Sequence, residues 1–393
     1  MRRNLSDIGI CTGWRKINKS HQQIPSLGIA LLGSLPSVCR TLLPHSRFPL
    51  CNGDLIEKDK DVAKQGIIWD DRSGPACGRF PSGVGLRLEL SKDNIGSSMA
   101  RSADGIYLGI VKKVLDDGSW KDNRTGVRTL AIAGATFEHD MRNGFPLLTT
   151  KKMGFKTMAT ELEFFIKGIT DKGWLQERGC HIWDEWATPE KAPYGHTEEH
   201  KRRMLEERDL GPIYGFQWRH FNADYNGYAS DYTGKGVDQL ASLVKKLKED
   251  PNDRRMVVSA WNPQQMGAMA LPPCHYSFQV TVTGDKVNLL WNQRSVDTML
   301  GLPFNISSYA LLLHLLAKES GLKEGKLIGF LADVHIYENH IDGAKEQLSR
   351  DENKYPLPKV KTENFKSIFE WSSSDTTVEG YESYPPIKFD IAV

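Results

Sequence analysis

Residues 269–321, "MALPPCHYSFQVTVTGDKVNLLWNQRSVDTMLGLPFNISSYALLLHLLAKESG", carry a strand, a turn, a second strand and a helix in one run. After His275 the apolar residues Tyr276, Phe278, Val280 and Val282 alternate with Ser277, Gln279 and Thr281. That period of two is the signature of a strand with one face in the core. Gly284-Asp285 supplies a tight turn, and "KVNLLWNQRS" returns as the second arm of a hairpin. Residues 309–316 are apolar almost all round, which predicts a buried helix rather than an amphipathic one.

The chain reads coherently outward from this segment. Leu108, Val111 and Leu115 lie at helical spacing and stop at Gly118, and "RTLAIAGATFEHDM" follows as a strand. "MATELEFFIKG" puts Met158, Leu162, Phe165 and Ile166 on one helical stripe. "GVDQLASLVKKLKEDPNDRR" predicts an amphipathic helix ended by Pro251, and "RMVVSAW" another strand. Helices interleaved with longer strands predict an α+β fold in one domain over residues 106–393. Residues 188–210 are charged throughout and read as a solvated insertion.

Residues 1–105 read as an N-terminal extension. The first 53 contain one acid, Asp7, against seven Lys and Arg, and residues 54–105 are rich in Gly and Ser. A disordered appendage fits this composition, and so does an organellar transit peptide, although the prolines interrupt any long amphipathic helix. With 51 basic and 49 acidic residues the net charge is +2, which argues against a dedicated nucleic-acid surface or an anionic membrane as the main partner. No apolar run reaches the roughly 18 residues that a membrane span needs. The six cysteines are scattered without CxxC spacing, as in a reducing compartment, and the expected location is cytoplasmic.

Cys274 admits three readings: a buried inert thiol, half of a Cys/His hydrolase pair with His275, or a nucleophile of another kind. Strand alternation sends the two side chains to opposite faces, which disfavours the pair. A thiolate needs nearby positive charge, and arginines occur at "DNRTG" (Arg124), "NDRR" (Arg254, Arg255) and "NQRS" (Arg294, beside Ser295). Guanidinium forks suit phosphate oxygens, although each arginine alone reads equally as a surface ion-pair residue. Asn305 reads as a helix N-cap or as an amide able to bond the edge of a uracil ring. His335 and Tyr337 share a strand face, and the spacing of His335 and His340 matches no HExxH metal pattern. Trp183 and Trp186 read as core or as an aromatic platform. Glu161 is a general base only if buried.

Taken together, "DNRTG", "IWDEWA", "DRR", "MALPPCH", "QRSVDTMLGLPFNISSYALL" and "DVHIYENH" resemble thymidylate synthases in order and spacing, from about Tyr107 to Val393. The resemblance implies that family's α+β fold, in which a mixed sheet forms the dimer interface and helices surround it. It further implies that Cys274 adds to C6 of dUMP, and that C5 then attacks the methylene carbon of 5,10-methylenetetrahydrofolate. Arg124, Arg294 and Ser295 would hold the phosphate, joined by Arg254 and Arg255 from the other subunit of a homodimer. Arg294 would also favour the Cys274 thiolate. Asn305 would select the uracil edge, His335 and Tyr337 the 3′-hydroxyl. Glu161, Tyr214 and His275 would relay protons. Ile182, Trp183, Leu271, Asp297, Gly301 and Phe304 match folate-contacting positions, and the terminal "IAV", with Ala392, would close over the folate. No metal is implied.

Two products are compatible with that site. Hydride transfer from the folate yields dTMP and dihydrofolate; addition of water yields 5-hydroxymethyl-dUMP and tetrahydrofolate, as in nucleotide hydroxymethylases. Trp183 and the terminal residues favour the first by excluding solvent. Glu163 stands in "ELEFFI" where many synthases have an apolar residue, and an acid there could admit a water.

Overall fold

The computed structural model describes residues 102–391, with positions 193 and 196 excepted. The expected extension therefore lies outside the described residues up to position 101, as do Ala392 and Val393. The chain runs α1 (Ala103–Asp117), β1 (Ser119–Lys121), β2 (Thr129–Asp140), α2 (Phe155–Ile166), α3 (Lys172–Gln176), α4 (Glu198–Glu206), α5 (Tyr214–His220), α6 (Gln239–Glu249), β3 (Val257–Ser259), β4 (His275–Thr283), β5 (Lys286–Asp297), α7 (Gly301–Ser320), β6 (Lys323–Tyr337), α8 (Ile341–Leu348), β7 (Lys359–Thr362) and β8 (Thr376–Glu379).

Six strands form one sheet in the order β1-β2-β6-β5-β4-β3. Only β5 and β6 are parallel, because α7 crosses between them; every other neighbour is antiparallel, so the sheet is mixed. The β4–β5 hairpin closes at Thr283↔Lys286 around Gly284, whose φ of 64° is the left-handed conformation its turn requires. α7 is buried from Ile306 through Ala317, as its all-round apolar sequence dictates, and lies against β5 and β6. α1 begins at the cap Ser102 and packs on β2.

One expectation of register is corrected. Strict alternation places His275 on the polar face of β4, but a β-bulge between His275 and Ser277 inserts a residue. His275 therefore turns to the core side, where its ring meets Phe165, Tyr214 and Tyr309. From Phe278 onward the alternation resumes, with Phe278 and Val280 buried.

The 188–210 segment is also less solvated than its charges suggest. α4 buries only Met204, yet Ala187, Ala192 and Met204 form a small core with Tyr194 packed on it. The fully buried Lys172 of α3 donates to the carbonyls of Asp184, Trp186 and Met204, tying the segment to the domain.

Candidate active site

A cavity of about 880 Å³ opens where β5, β6, the start of α7 and the 266–275 segment meet, a size suited to small-molecule binding. It gathers residues widely separated in sequence: Arg124, Glu161, Trp183, Tyr214, Leu271, Cys274, His275, Arg294, Ser295, Asp297, Gly301, Asn305, His335 and Tyr337 all line it.

The segment before Cys274 is held at several of its polar backbone groups. Pro272 and Pro273 have no N–H, so only their carbonyls need partners. Arg294 supplies both, with Nη2 to Pro272 O at 2.8 Å and Nε to Pro273 O at 2.9 Å. The Arg294 backbone N–H donates to Cys274 O at 2.9 Å, and the Cys274 N–H donates to the Tyr214 hydroxyl at 2.7 Å. Arg294 is thus locked beside the thiol with donors to spare for an anion. Burial raises the thiol above its ordinary value, while the Arg294 charge and the Tyr214 hydroxyl pull it down. The Arg294 charge acts toward the thiolate, but burial outweighs it here.

His275 cannot serve as a cationic partner for that thiol. Burial drives its imidazole down to about 3, so it is neutral, and its Nδ1 bonds the Tyr309 hydroxyl at 2.9 Å. A Cys/His ion pair is therefore unsupported.

Glu161 projects from α2 and meets the Trp183 indole, whose Nε1 donates to Oε1 at 2.8 Å. Desolvation lifts its carboxyl to about 7, with the Trp183 bond acting in the opposite direction. A carboxyl poised near neutrality can both take and return a proton. Glu163 belongs to a different environment, contrary to the expectation that it could bring water beside Glu161. Its carboxylate accepts from Lys167 Nζ at 2.6 Å and from the Ser373 N–H at 2.8 Å, and it is not among the cavity-lining residues.

Asn305 is not a helix N-cap: α7 begins at Gly301, and the amide lies within its second turn. Its orientation is set by a relay. The Trp291 indole only donates, and it donates to Gln293 Oε1 at 3.2 Å. Gln293 must then present Nε2, which donates to Asn305 Oδ1 at 3.0 Å. Asn305 is left with an amide N–H₂ and a second carbonyl lone pair for a ligand. Gln293 was not singled out from the sequence, yet its signal was present as a polar residue on the buried face of a strand between Trp291 and Ser295.

At the other end of the cavity, His335 Nδ1 lies 3.2 Å from the Asp333 carbonyl and carboxylate, leaving Nε2 for a ligand, and Tyr337 stands edge-on 5.4 Å away. Asp297 Oδ1 accepts from the N–H groups of Met299 and Leu300, fixing the turn that enters α7. Arg124 is exposed on a turn ordered by Asn123, whose side chain bonds Thr125 and Val127. Ile182 and Phe304 pack partly buried on the core without lining the cavity, and Arg254 and Arg255 are exposed away from it. Ile391 lines the cavity, whereas Ala392 lies outside the described residues. Pro189, Tyr194 and the 266–270 loop complete the wall. Among the described residues, no group of three His, Cys, Asp or Glu side chains is placed to hold a metal ion, and no helix is long and apolar enough to cross a membrane.

The thymidylate synthase family model matches residues 105–393. A thymidylate synthase of Homo sapiens is 43% identical over 288 residues, covering 73% of this chain and 90% of that protein. Thymidylate synthase 1/2 of Encephalitozoon cuniculi is 41% identical over 294 residues, 73% of this chain and 96% of its own length. A bifunctional dihydrofolate reductase-thymidylate synthase of Paramecium tetraurelia is 42% identical over 287 residues, and the chain spans only 61% of that longer protein. A cysteine locked beside an arginine, a carboxyl held near neutrality and an oriented amide in one cavity agree with these matches, and the chain belongs to the thymidylate synthase family.

Proposed function

We propose that the chain transfers the one-carbon unit of 5,10-methylenetetrahydrofolate to C5 of dUMP, giving dTMP and dihydrofolate. The observation that carries this reading is the setting of Cys274, held by Arg294 and Tyr214 in the cavity that Glu161 and Asn305 also reach. The Cys274 sulfur forms a bond to C6, which makes C5 nucleophilic toward the methylene carbon. Asn305 presents its N–H₂ to the O4 that gains charge in this step. Glu161 takes the C5 proton, directly or through water, as the methylene carbon parts from the folate nitrogen, and Trp183 helps keep solvent from the exocyclic methylene until the released tetrahydrofolate gives it a hydride and becomes dihydrofolate. Loss of sulfur from C6 then restores the ring. The Glu163 carboxylate engages Lys167 and Ser373 rather than the cavity, which favours hydride over water as the final acceptor step.

The arginines at 254 and 255 fit a homodimer. An apolar patch left exposed on a sheet face marks an interaction surface. Here the face bearing Thr136, Phe330, Asn292 and Ser277 in register is open, with Phe330 45% exposed. A second copy on this face would bring Arg254 and Arg255 to the partner's phosphate.

Incubation with dUMP and methylenetetrahydrofolate, followed at the dihydrofolate absorbance and by product analysis, tests the proposal. The expected products are dTMP and dihydrofolate, with no turnover by Cys274→Ala. Hydroxymethyl-dUMP without dihydrofolate would overturn the synthase reading.

A further inference from the structure

The 188–210 insertion reaches the cavity through Tyr194. Its hydroxyl donates to the carbonyl of Ala270 at 2.6 Å, and the Ala270 N–H donates to Leu210 O at 2.9 Å. Both polar backbone groups of Ala270 are therefore held by residues of the insertion. The segment from Ala270 runs directly into Pro272 and Pro273, whose carbonyls hold Arg294 beside Cys274. The Tyr194 ring meets Trp186 edge-on at 6.1 Å, next to the aromatic and apolar wall that includes Leu271. The insertion is anchored at Met204, whose carbonyl Lys172 of α3 holds together with that of Trp186, and it is braced internally by the Lys191–Asp209 pair at 2.6 Å.

We infer that Tyr194 is a positioning residue for the Cys274 segment and that its ring walls the part of the cavity that takes the flat rings of the folate. The second half of this statement rests on the function proposed above. The hydroxyl acts through Ala270 on the chain that holds Arg294 to the thiol; the ring, paired with Trp186, offers an aromatic edge to a planar ligand.

Two variants separate these roles. Tyr194→Phe keeps the ring and loses the hydroxyl, leaving the Ala270 carbonyl unpaired. It should lower kcat about tenfold with the KM for methylenetetrahydrofolate within about twofold of wild type. Tyr194→Ala should in addition raise that KM about tenfold while the Kd for dUMP stays unchanged. Alkylation of Cys274 by iodoacetamide, read by peptide mass spectrometry, needs no turnover and should slow severalfold at pH 7 in Tyr194→Phe, because Arg294 loosens from the thiol. Wild-type kcat and alkylation rate in Tyr194→Phe would overturn the positioning role. An unchanged folate KM in a folded Tyr194→Ala, or a change confined to dUMP binding, would overturn the wall. A wild-type protein that makes no dTMP would instead refute the function and leave the alkylation result to decide the positioning role.

Discussion

Glu161 and Asn305 show how a single residue acquires a role that its type does not announce. Desolvation holds the Glu161 carboxyl at about 7, against an ordinary value of 4.5. Folding thus raises its proton affinity. As pH climbs from 4.5 to 7 the unfolded chain ionises first and stability falls; above 7 the penalty is constant. Glu161→Gln should match wild type in stability below pH 4.5 and exceed it at pH 8 by about 2 kcal/mol, discounted from the full shift because the carboxyl borders the cavity. Denaturant melts at the two pH values check this, and a stability difference that does not grow with pH would refute it. The same variant should lose about 10²–10⁴ in kcat, the usual worth of a positioned proton carrier. At Asn305 the Trp291–Gln293 relay fixes which amide atom faces the ligand. Asn305→Asp keeps the acceptor for Gln293 but loses the N–H₂ offered to uracil O4, so dUMP turnover should fall about 100-fold, and turnover of dCMP, whose N4 donates, should gain relative to it. Competition between the two nucleotides measures the ratio. Cys274, Glu161 and Asn305 were legible in the sequence as chemistry-bearing residues. The orientation of Asn305 was not, because it depends on a buried glutamine twelve positions away.

Elements were legible where one physical pattern ran unopposed. The β4–β5 hairpin and buried α7 follow from alternation, a glycine turn and an all-round apolar helix, each a local property. The failures are places where a tertiary contact overrides a local pattern. The bulge at His275–Ser277 breaks the alternation and delivers His275 to Tyr309, which nothing in residues 275–283 announces. Charge along 188–210 reads as solvation, yet the buried lysine that anchors it, Lys172, comes from α3. Lys172→Met should leave three carbonyls without their shared donor. Limited proteolysis should then cut within α4 at a protein concentration where wild type resists, and equal resistance would show that the insertion is held by other contacts.

At the scale of the whole molecule, pairing of two copies through the sheet would account for both the open sheet face and the distant arginines. The face carrying Phe330 belongs to a mixed sheet and leaves that large apolar side chain 45% exposed at its parallel centre. Arg254 and Arg255 lie just before the edge strand β3, outside the cavity of their own chain. The arginines of "NDRR" are visible in the sequence, but a site built from two copies would leave no mark in one chain's local patterns. If two copies pair through the sheet, each cavity takes its thiol from one chain and its second pair of arginines from the other. A chain carrying Cys274→Ala and a chain carrying Arg254→Ala with Arg255→Ala should each be nearly inactive alone. Unfolded together and refolded as a mixture, half of the dimers would be mixed, and one site in each would hold both the cysteine and the arginines, restoring about a quarter of wild-type activity. Activity that stays at the level of the separate variants, with mixed dimers demonstrated by a size or affinity tag, would place the arginines outside the partner's site.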